Sequence, residues 1–368
     1  MVIAHIVNDD GGVGNVVANL ANSQVKCNVV YVYTSNGKQK FIKKLESAVQ
    51  VKVIKSTFLP PIITGVGINM IYKELKHENP NDEIVMHAHN VVTVGLLSRL
   101  KNVPILCTIH GLSTFPEAKR TIRVKIQEFA ISCIIKKIKN NIGVVVGVSH
   151  HTSEYYGKKS KQHIETIFNG SPRSGEKKVL SKEFTFAHVG DISDNKGWPI
   201  ELAAFARLKQ QNMSIPMRFI CAGRLLKFTN EDVEKMIFGS GLSTSDVQYL
   251  GLVDNVDRDI LSKTHVLLLA SKSEGLPMCV IEAQSMGIPV LSTDVGGVSE
   301  IITNGVNGFL LERSIEAFSE KMSQLINDPE LYSLMEKESL CKYENCFSDC
   351  RMVAEYERYY RKILSKVI

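Results

Sequence analysis

The amino-acid sequence predicts an α/β protein of two Rossmann-like domains facing across a cleft. Three observations carry the prediction. Short apolar runs rich in Val and Ile alternate with amphipathic stretches along nearly the whole chain, as in parallel sheets covered by helices on both faces. The alternation is interrupted once, by the turn-forming segment Asn169-Gly170-Ser171-Pro172-Arg173-Ser174-Gly175-Glu176-Lys177-Lys178, and then restarts; that composition marks a linker. The length of 368 residues accommodates two domains of the usual ~100–200 residues.

In order, the first set of strands falls at 2–7, 28–34, 51–55, 83–89, 104–110, 143–149 and 164–169. The second set falls at 184–189, 217–222, 247–250, 265–270 and 289–293. Each is followed by a turn and a helical pattern. The expected N-terminal domain covers 1–172 and the C-terminal domain 178–351. A basic, Tyr-rich amphipathic helix over 352–368 is expected to pack back on the first domain. Hydrophobic residues make up 44% and charged residues 22%, which excludes a disordered or collagen-like chain. No apolar run approaches the ~18–20 residues of a membrane-spanning helix. The first strand runs into Asn8-Asp9-Asp10 too early for a signal-peptide apolar region, so a cytoplasmic protein is expected. Most of the eight cysteines sit in apolar segments, and Cys341, Cys346 and Cys350 lack zinc-site spacing, so no metal site is expected.

The formal net charge of +6 is unevenly spread. Residues 1–175 hold 22 basic and 11 acidic residues, a net of +11; residues 176–368 hold 22 and 27, a net of −5.

In open parallel sheets ligands bind outside the carboxyl ends of the strands, and the motifs sit there. Gly11-Gly12-Val13-Gly14 follows the first strand and opens a helix, as a tight turn or a phosphate-accepting loop would. It is not a dinucleotide fingerprint, because Tyr33-Thr34-Ser35-Asn36 puts no acid after the second strand; no P-loop occurs anywhere. His87-Ala88-His89 and Thr108-Ile109-His110-Gly111 end neighbouring strands. His110 is read as a substrate contact donating to hydroxyl or phosphate oxygens. His87 and His89 fit packing roles, and no third metal ligand is evident beside them. Lys196, in Gly190-Asp191-Ile192-Ser193-Asp194-Asn195-Lys196-Gly197, is a cation suited to a phosphate, but on this segment alone it reads first as a solvated helix start. Asp257-Arg258-Asp259 reads as capping chemistry at a helix start rather than as a metal motif.

Ser271-Lys272-Ser273-Glu274-Gly275-Leu276-Pro277-Met278-Cys279-Val280-Ile281-Glu282-Ala283 is the most informative segment. Gly275 permits a turn, and Pro277 suits a helix start. Backbone amides from Gly275 through Leu276 and Met278 to Cys279 then form an anion site for a diphosphate. Glu274 precedes the helix and Glu282 lies about two turns along it, so the two carboxylates can take hydroxyls from separate parts of one polyol. Glu282 stands in an otherwise apolar run, where a carboxylate needs a partner.

These residues resemble glycosyltransferase family 4. The likeness rests on S-x-x-E-G-L-P-x-x-x-x-E-A over 271–283, with Gly287-x-Pro289-Val290, Gly296-Gly297-Val298-x-Glu300 and Asn307-Gly308. It extends in order through Gly11-Gly12, His110-Gly111, Val148-Ser149, Asn169-Gly170, Gly190 and Lys196-Gly197. The resemblance implies the GT-B fold, a nucleotide-sugar co-substrate linked to UDP or GDP, and retaining transfer of a hexose without cofactor or metal. It implies that Glu274 orients the donor sugar, Glu282 holds the ribose, and Lys196 with the amides after Gly275 binds the diphosphate. Gly11 and Gly12 would lie against the donor and His110 against the sugar. Where the family carries Arg after the glycine, this chain has Gly190-Asp191; Arg224 is the candidate substitute.

The E-G-L-P form of the motif resembles bacterial enzymes that build surface polysaccharides, with a glycan or lipid-linked acceptor. The alternatives are a nucleotide-sugar epimerase or phosphorylase of the same fold, or a non-catalytic nucleotide-sugar-binding protein. Lys119, Arg120, Arg123, Lys125, Lys136, Lys137 and Lys139 flank an apolar stretch over 126–135 that only Glu128 opposes. That pattern over 119–139 predicts attachment to an anionic membrane surface. No motif points to nucleic acid.

Overall fold

The computed structural model describes residues 1–8, 11–54, 65–90, 102–111, 122–211 and 214–366. Asp9, Asp10, Lys119 and Arg120, named above, and the last residue of the expected strand 51–55 lie outside the described residues, as do the side chains of Arg123 and Lys125. The chain divides into unit 1, Met1–Gly170 with Asp349–Ile368, and unit 2, Ser171–Ser348.

In unit 1, β1 (Val2–Ile6), β2 (Val29–Thr34), β3 (Gln50–Val53), β4 (Ile84–His89), β5 (Ile105–Ile109), β6 (Gly143–Gly147) and β7 (Glu165–Thr166) form one sheet. Its order is β3-β2-β1-β4-β5-β6-β7, and every pairing is parallel. Helices α1 (Gly12–Gln24), α2 (Gly65–Glu78), α3 (Ile122–Lys139) and α4 (His150–Ser160) lie in the connections. β1, β4, β5 and β6 are buried at every position, which is why they read as largely apolar runs, interrupted by His5, His87, His89 and Thr108.

Unit 2 repeats the design. Strands β8 (Phe184–Val189), β9 (Met217–Ala222), β10 (Val247–Tyr249), β11 (Val266–Leu269), β12 (Val290–Thr293) and β13 (Gly308–Leu311) pair in parallel in the order β10-β9-β8-β11-β12-β13. The helices are α5 (Trp198–Gln211), α6 (Asn230–Gly239), α7 (Val256–Asp259), α8 (Met278–Ser285), α9 (Val298–Ile301), α10 (Ile315–Asn327) and α11 (Pro329–Cys346). Polar caps start several of them: Thr229 and Asp232 form a reciprocal capping box on α6, and Ser314 and Asp328 cap α10 and α11. The Asn255 side chain caps α7, and Asp259 pairs with Arg258, so the acidic pair serves a helix start. β13 is an element the sequence reading missed. It begins at Gly308, whose added Cβ would stand 2.2 Å from the Val290 carbonyl oxygen, and the turn residues before it mask its short apolar run.

Both orders are the doubly wound arrangement, with the reversal between β1 and β4 in unit 1 and between β8 and β11 in unit 2. The last helix, α12 (Asp349–Leu364), belongs to unit 1. Its Tyr356 and Tyr360 are fully buried, and Asp349 accepts from the Ser23 hydroxyl at 3.1 Å. The start of the expected linker is buried rather than free: Ser171 donates its N–H to Phe347 and its carbonyl accepts from Tyr343. Among the described residues, no helix is long and apolar enough to cross a membrane.

The chain's single tryptophan, Trp198, is buried in the same unit 2 core as Phe205 and Phe219, whose rings lie 5.7 Å apart. Phe219→Ala should therefore destabilise unit 2 by ~3–5 kcal/mol, read as an earlier Trp198 fluorescence transition in urea; an unshifted midpoint would contradict this packing.

Candidate functional site

The loops at the unit 2 reversal bring together most of the residues singled out above. Lys196 Nζ lies 2.7 Å from Glu274 Oε1, and the Ser271 hydroxyl donates to the same oxygen at 2.6 Å. Glu274 is buried and Lys196 mostly so. Burial works against the lysine's charge, but the Glu274 carboxylate, with help from Asp191, outweighs it and raises Lys196 above its ordinary range. Cys279 in the first turn of α8 is pushed up to about 12, first by burial and then by Glu274; Lys196 and Glu282 act on the same thiol. All three charged groups therefore surround one point at the start of α8. Glu282 itself is half-buried, not the enclosed carboxylate its apolar neighbours implied; Glu274 is the enclosed one. Leu276, Pro277 and Met278 are buried and Gly275 half-buried. They lead into the opening turn of α8, where the first backbone N–H groups of a helix have no i−4 partner.

Close backbone approaches set this geometry. A Cβ on Gly296, whose φ is +61°, would stand 1.8 Å from the Glu274 carbonyl oxygen. The next residue, Gly297, donates its N–H to Gly275 at 2.9 Å. Gly197, at φ +86°, would meet the Ala270 oxygen at 2.0 Å, which seats Lys196 against the end of β11. Beneath it the buried Glu201 carboxylate accepts from the Ala270 N–H and faces His188, each at 2.7 Å. On the far side Arg313 donates to the Ala270 carbonyl at 2.8 Å and also reaches Asp194.

Arg224 stands where a substitute cation was sought. Its Nε and Nη2 fork onto the Asp191 carboxylate at 2.9 and 3.1 Å. The cation is beside Gly190, and the acid that replaces the family arginine partners it.

In unit 1, Gly11 caps α1, and among the described residues a Cβ on Gly12 would meet nothing within 4 Å. His110 lies just past β5. Its Nε2 is 3.0 Å from His89 Nδ1, and His89 Nε2 is 3.1 Å from His5 Nδ1. His5 is the third imidazole that the sequence did not reveal beside His87 and His89. Ligand nitrogens of the three lie within 4.8 Å of one another. Those nitrogens are engaged in hydrogen bonds: His5 Nε2 with Gln24, His87 Nδ1 with Tyr360 and His87 Nε2 with Thr108. A metal would have to displace them.

Two doubly wound units place this chain in the GT-B class of glycosyltransferases. The crystal structure of Anabaena HepE in complex with UDP-glucose superimposes on it with a TM-score of 0.76 at 16% identity, covering all of both chains. Residues 10–172 match the family model described as Glycosyltransferase Family 4, and residues 183–328 that described as Glycosyl transferases group 1. An uncharacterized glycosyltransferase of Haemophilus influenzae is 40% identical over 294 residues, 78% of this chain and 72% of that protein. The Escherichia coli UDP-Gal:alpha-D-GlcNAc-diphosphoundecaprenol alpha-1,3-galactosyltransferase is 25% identical over 83% of this chain and 84% of its own. The chain belongs to glycosyltransferase family 4.

Sequence reasoning missed Ser271, His5, Gln24 and Tyr360. The Ser271 spacing to Glu274 stood inside the motif; the others come from distant strands and helices, and nothing local marks them.

Burial drives the unit 1 histidines down from their ordinary value of 6.5, His5 to about 4 and His110 to about 3, with His87 and His89 also well below it. Unfolded, each takes a proton near pH 6.5, so between there and about pH 4 the unfolded chain binds more protons and stability falls with falling pH. Each imidazole contributes a slope of about 1.4 kcal/mol per pH unit. Urea unfolding of unit 1 followed from pH 7.5 to 5 should show this steep loss; stability flat across that range would contradict neutral burial.

Proposed function

We propose that the protein is a retaining hexosyltransferase that moves a sugar from a UDP- or GDP-linked donor to a hydroxyl of a glycan or lipid-linked acceptor, in bacterial surface polysaccharide synthesis. The observation that carries this reading is the Lys196–Glu274 pair at the start of α8. A lysine has three N–H donors, so Lys196 can keep Glu274 and still meet a phosphate oxygen. The opening turn of α8 supplies further donors and the positive end of the helix dipole. Charge that builds on the departing diphosphate is thereby stabilised by groups already in place, and this reading requires no divalent ion. Glu274 Oε1 already accepts from both Lys196 and Ser271, which suits a carboxylate that orients hydroxyls better than one that attacks the anomeric carbon. Front-face attack, with the leaving phosphate taking the acceptor's proton, fits that role, and on this reading Glu282 would hold the ribose. The donors and acceptors named for relatives, UDP-glucose in the HepE complex and a diphosphoundecaprenol-linked sugar in the Escherichia coli enzyme, support the substrate classes.

The acceptor reading extends to a membrane surface. In α3, Ile131, Ile134, Ile135 and Ile138 are buried, whereas Ile126 and Phe129 are 63% and 72% exposed and Lys136 is exposed. Glu128, the opposing charge, is turned inward onto Lys159 and Tyr155. An outward face of Phe, Ile and Lys suits anionic lipid.

Glu274→Ala should reduce transfer at least a hundredfold while EDTA leaves the wild type unchanged, and NMR of the product should show the donor's anomeric configuration kept. Inversion of configuration, or loss of activity in EDTA restored by a divalent ion, would contradict the mechanism. In flotation assays the protein should rise with phosphatidylglycerol vesicles, and the double variant Ile126→Glu, Phe129→Glu should not; a wild type that stays at the bottom removes the membrane reading.

A further inference from the structure

Four histidines meet at the carboxyl end of the unit 1 sheet, where the strand order reverses. His5 on β1 stands in register with His87 on β4, and His89 with Thr108 on β5. They do not simply fill space. Starting from α1, Gln24 Oε1 lies 2.8 Å from His5 Nε2, His5 Nδ1 3.1 Å from His89 Nε2, and His89 Nδ1 3.0 Å from His110 Nε2. His5, His87 and His89 are fully buried and His110 is half-buried, so His110 is the end of the chain that a ligand can reach.

The polarity of such a chain follows from its first member. A neutral imidazole carries one N–H and one bare nitrogen. An amide oxygen only accepts, so His5 Nε2 bears the proton and His5 Nδ1 is bare. His89 Nε2–H then donates to it, which leaves His89 Nδ1 bare, and His110 Nε2–H donates there in turn. The remaining nitrogen of His110, Nδ1, is left without a proton. The other end of the amide agrees: Gln24 Nε2 donates to the Tyr360 hydroxyl at 3.4 Å, which gives its proton to His87 Nδ1 at 2.7 Å, and His87 Nε2–H donates to Thr108 at 2.8 Å. Burial keeps all four imidazoles neutral at neutral pH, so no added proton breaks the sequence. Turning the Gln24 amide over would reverse every donor and put the proton on His110 Nδ1.

We propose that Gln24, His5 and His89 are positioning residues that hold His110 in one tautomer, with Nδ1 bare, so that it accepts a hydrogen bond from a sugar hydroxyl and has none to offer a phosphate oxygen. The identity of that ligand rests on the transferase reading above; the tautomer does not. The proposal also revises the role expected of His110 from the sequence, since its one proton is already committed to His89.

The test is a long-range proton–nitrogen correlation spectrum of the 15N-labelled full chain at neutral pH. The wild type should show protonated Nε2 and bare Nδ1 at His5, His89 and His110. Gln24→Met removes the anchor and should give tautomer mixtures at His5 and His110. Gln24→Glu, whose carboxylate also only accepts, should restore the single tautomer. In kinetics, Gln24→Met should raise the donor KM several-fold with less effect on kcat, and Gln24→Glu should recover most of it. A proton on His110 Nδ1 in the wild type overturns the proposal even where Gln24→Met fails to fold. Tautomers unchanged in a folded Gln24→Met, or stoichiometric metal in the purified protein bound through these histidines, overturn it as well. The transferase reading fails separately: if the tautomers are as expected but His110→Phe leaves donor affinity unchanged, the hydroxyl contact is wrong and that half of the proposal falls.

Discussion

The Gly296 α-carbon lies so close to the Glu274 carbonyl that no side chain fits between them, and the unit 2 site depends on that contact. It clamps the loop after β11 against the turn after β12, and the Gly297–Gly275 hydrogen bond closes the same junction. With the loop fixed, Glu274 meets Lys196 and Ser271 just before the start of α8. Gly197 does the equivalent for Lys196 by seating it on Ala270. Glycines at these positions do chemistry indirectly, through the side chains they let approach.

The charges left in this frame are nearly balanced before any donor arrives: Lys196 faces Glu274, and Arg224 faces Asp191. A lysine–carboxylate pair at partial burial recovers in mutual attraction part of what desolvation costs. It also keeps the lysine charged and held in place. On the proposed function, a diphosphate would meet an ammonium and a helix start that need little rearrangement, the condition under which electrostatic stabilisation is most effective. Arg224 reaches Asp191 from the neighbouring strand end, where Gly190 donates its N–H to Ala222 and Ile192 to Arg224.

Much of this was legible in the sequence because it is local. Buried parallel strands such as β6 and β11 read as Val and Leu runs, and the Glu274-Gly275-Leu276-Pro277 segment places an acid, a turn and a helix start in adjacent positions. What was not legible depends on pairing between distant segments. β13 is short and opens at a glycine, so its apolar period is too brief to register. Glu282 reads as buried from its neighbours, yet a helix turns it to a half-exposed face. The His5–His89–His110 chain joins three strands and α1, and no spacing along the chain announces it. Its consequence is chemical: the sequence alone offers His110 as a donor, and the proposed tautomer makes it an acceptor.

The central claim is that a nucleoside diphosphate is held at the unit 2 reversal by Lys196 and the start of α8. Calorimetric titration of UDP and GDP into the wild type and Lys196→Met tests it directly. One of the two nucleotides should bind the wild type, and the variant should bind it at least tenfold more weakly, about 1.4 kcal/mol or more, with its fold intact by circular dichroism. Equal affinity in the folded variant would contradict the account.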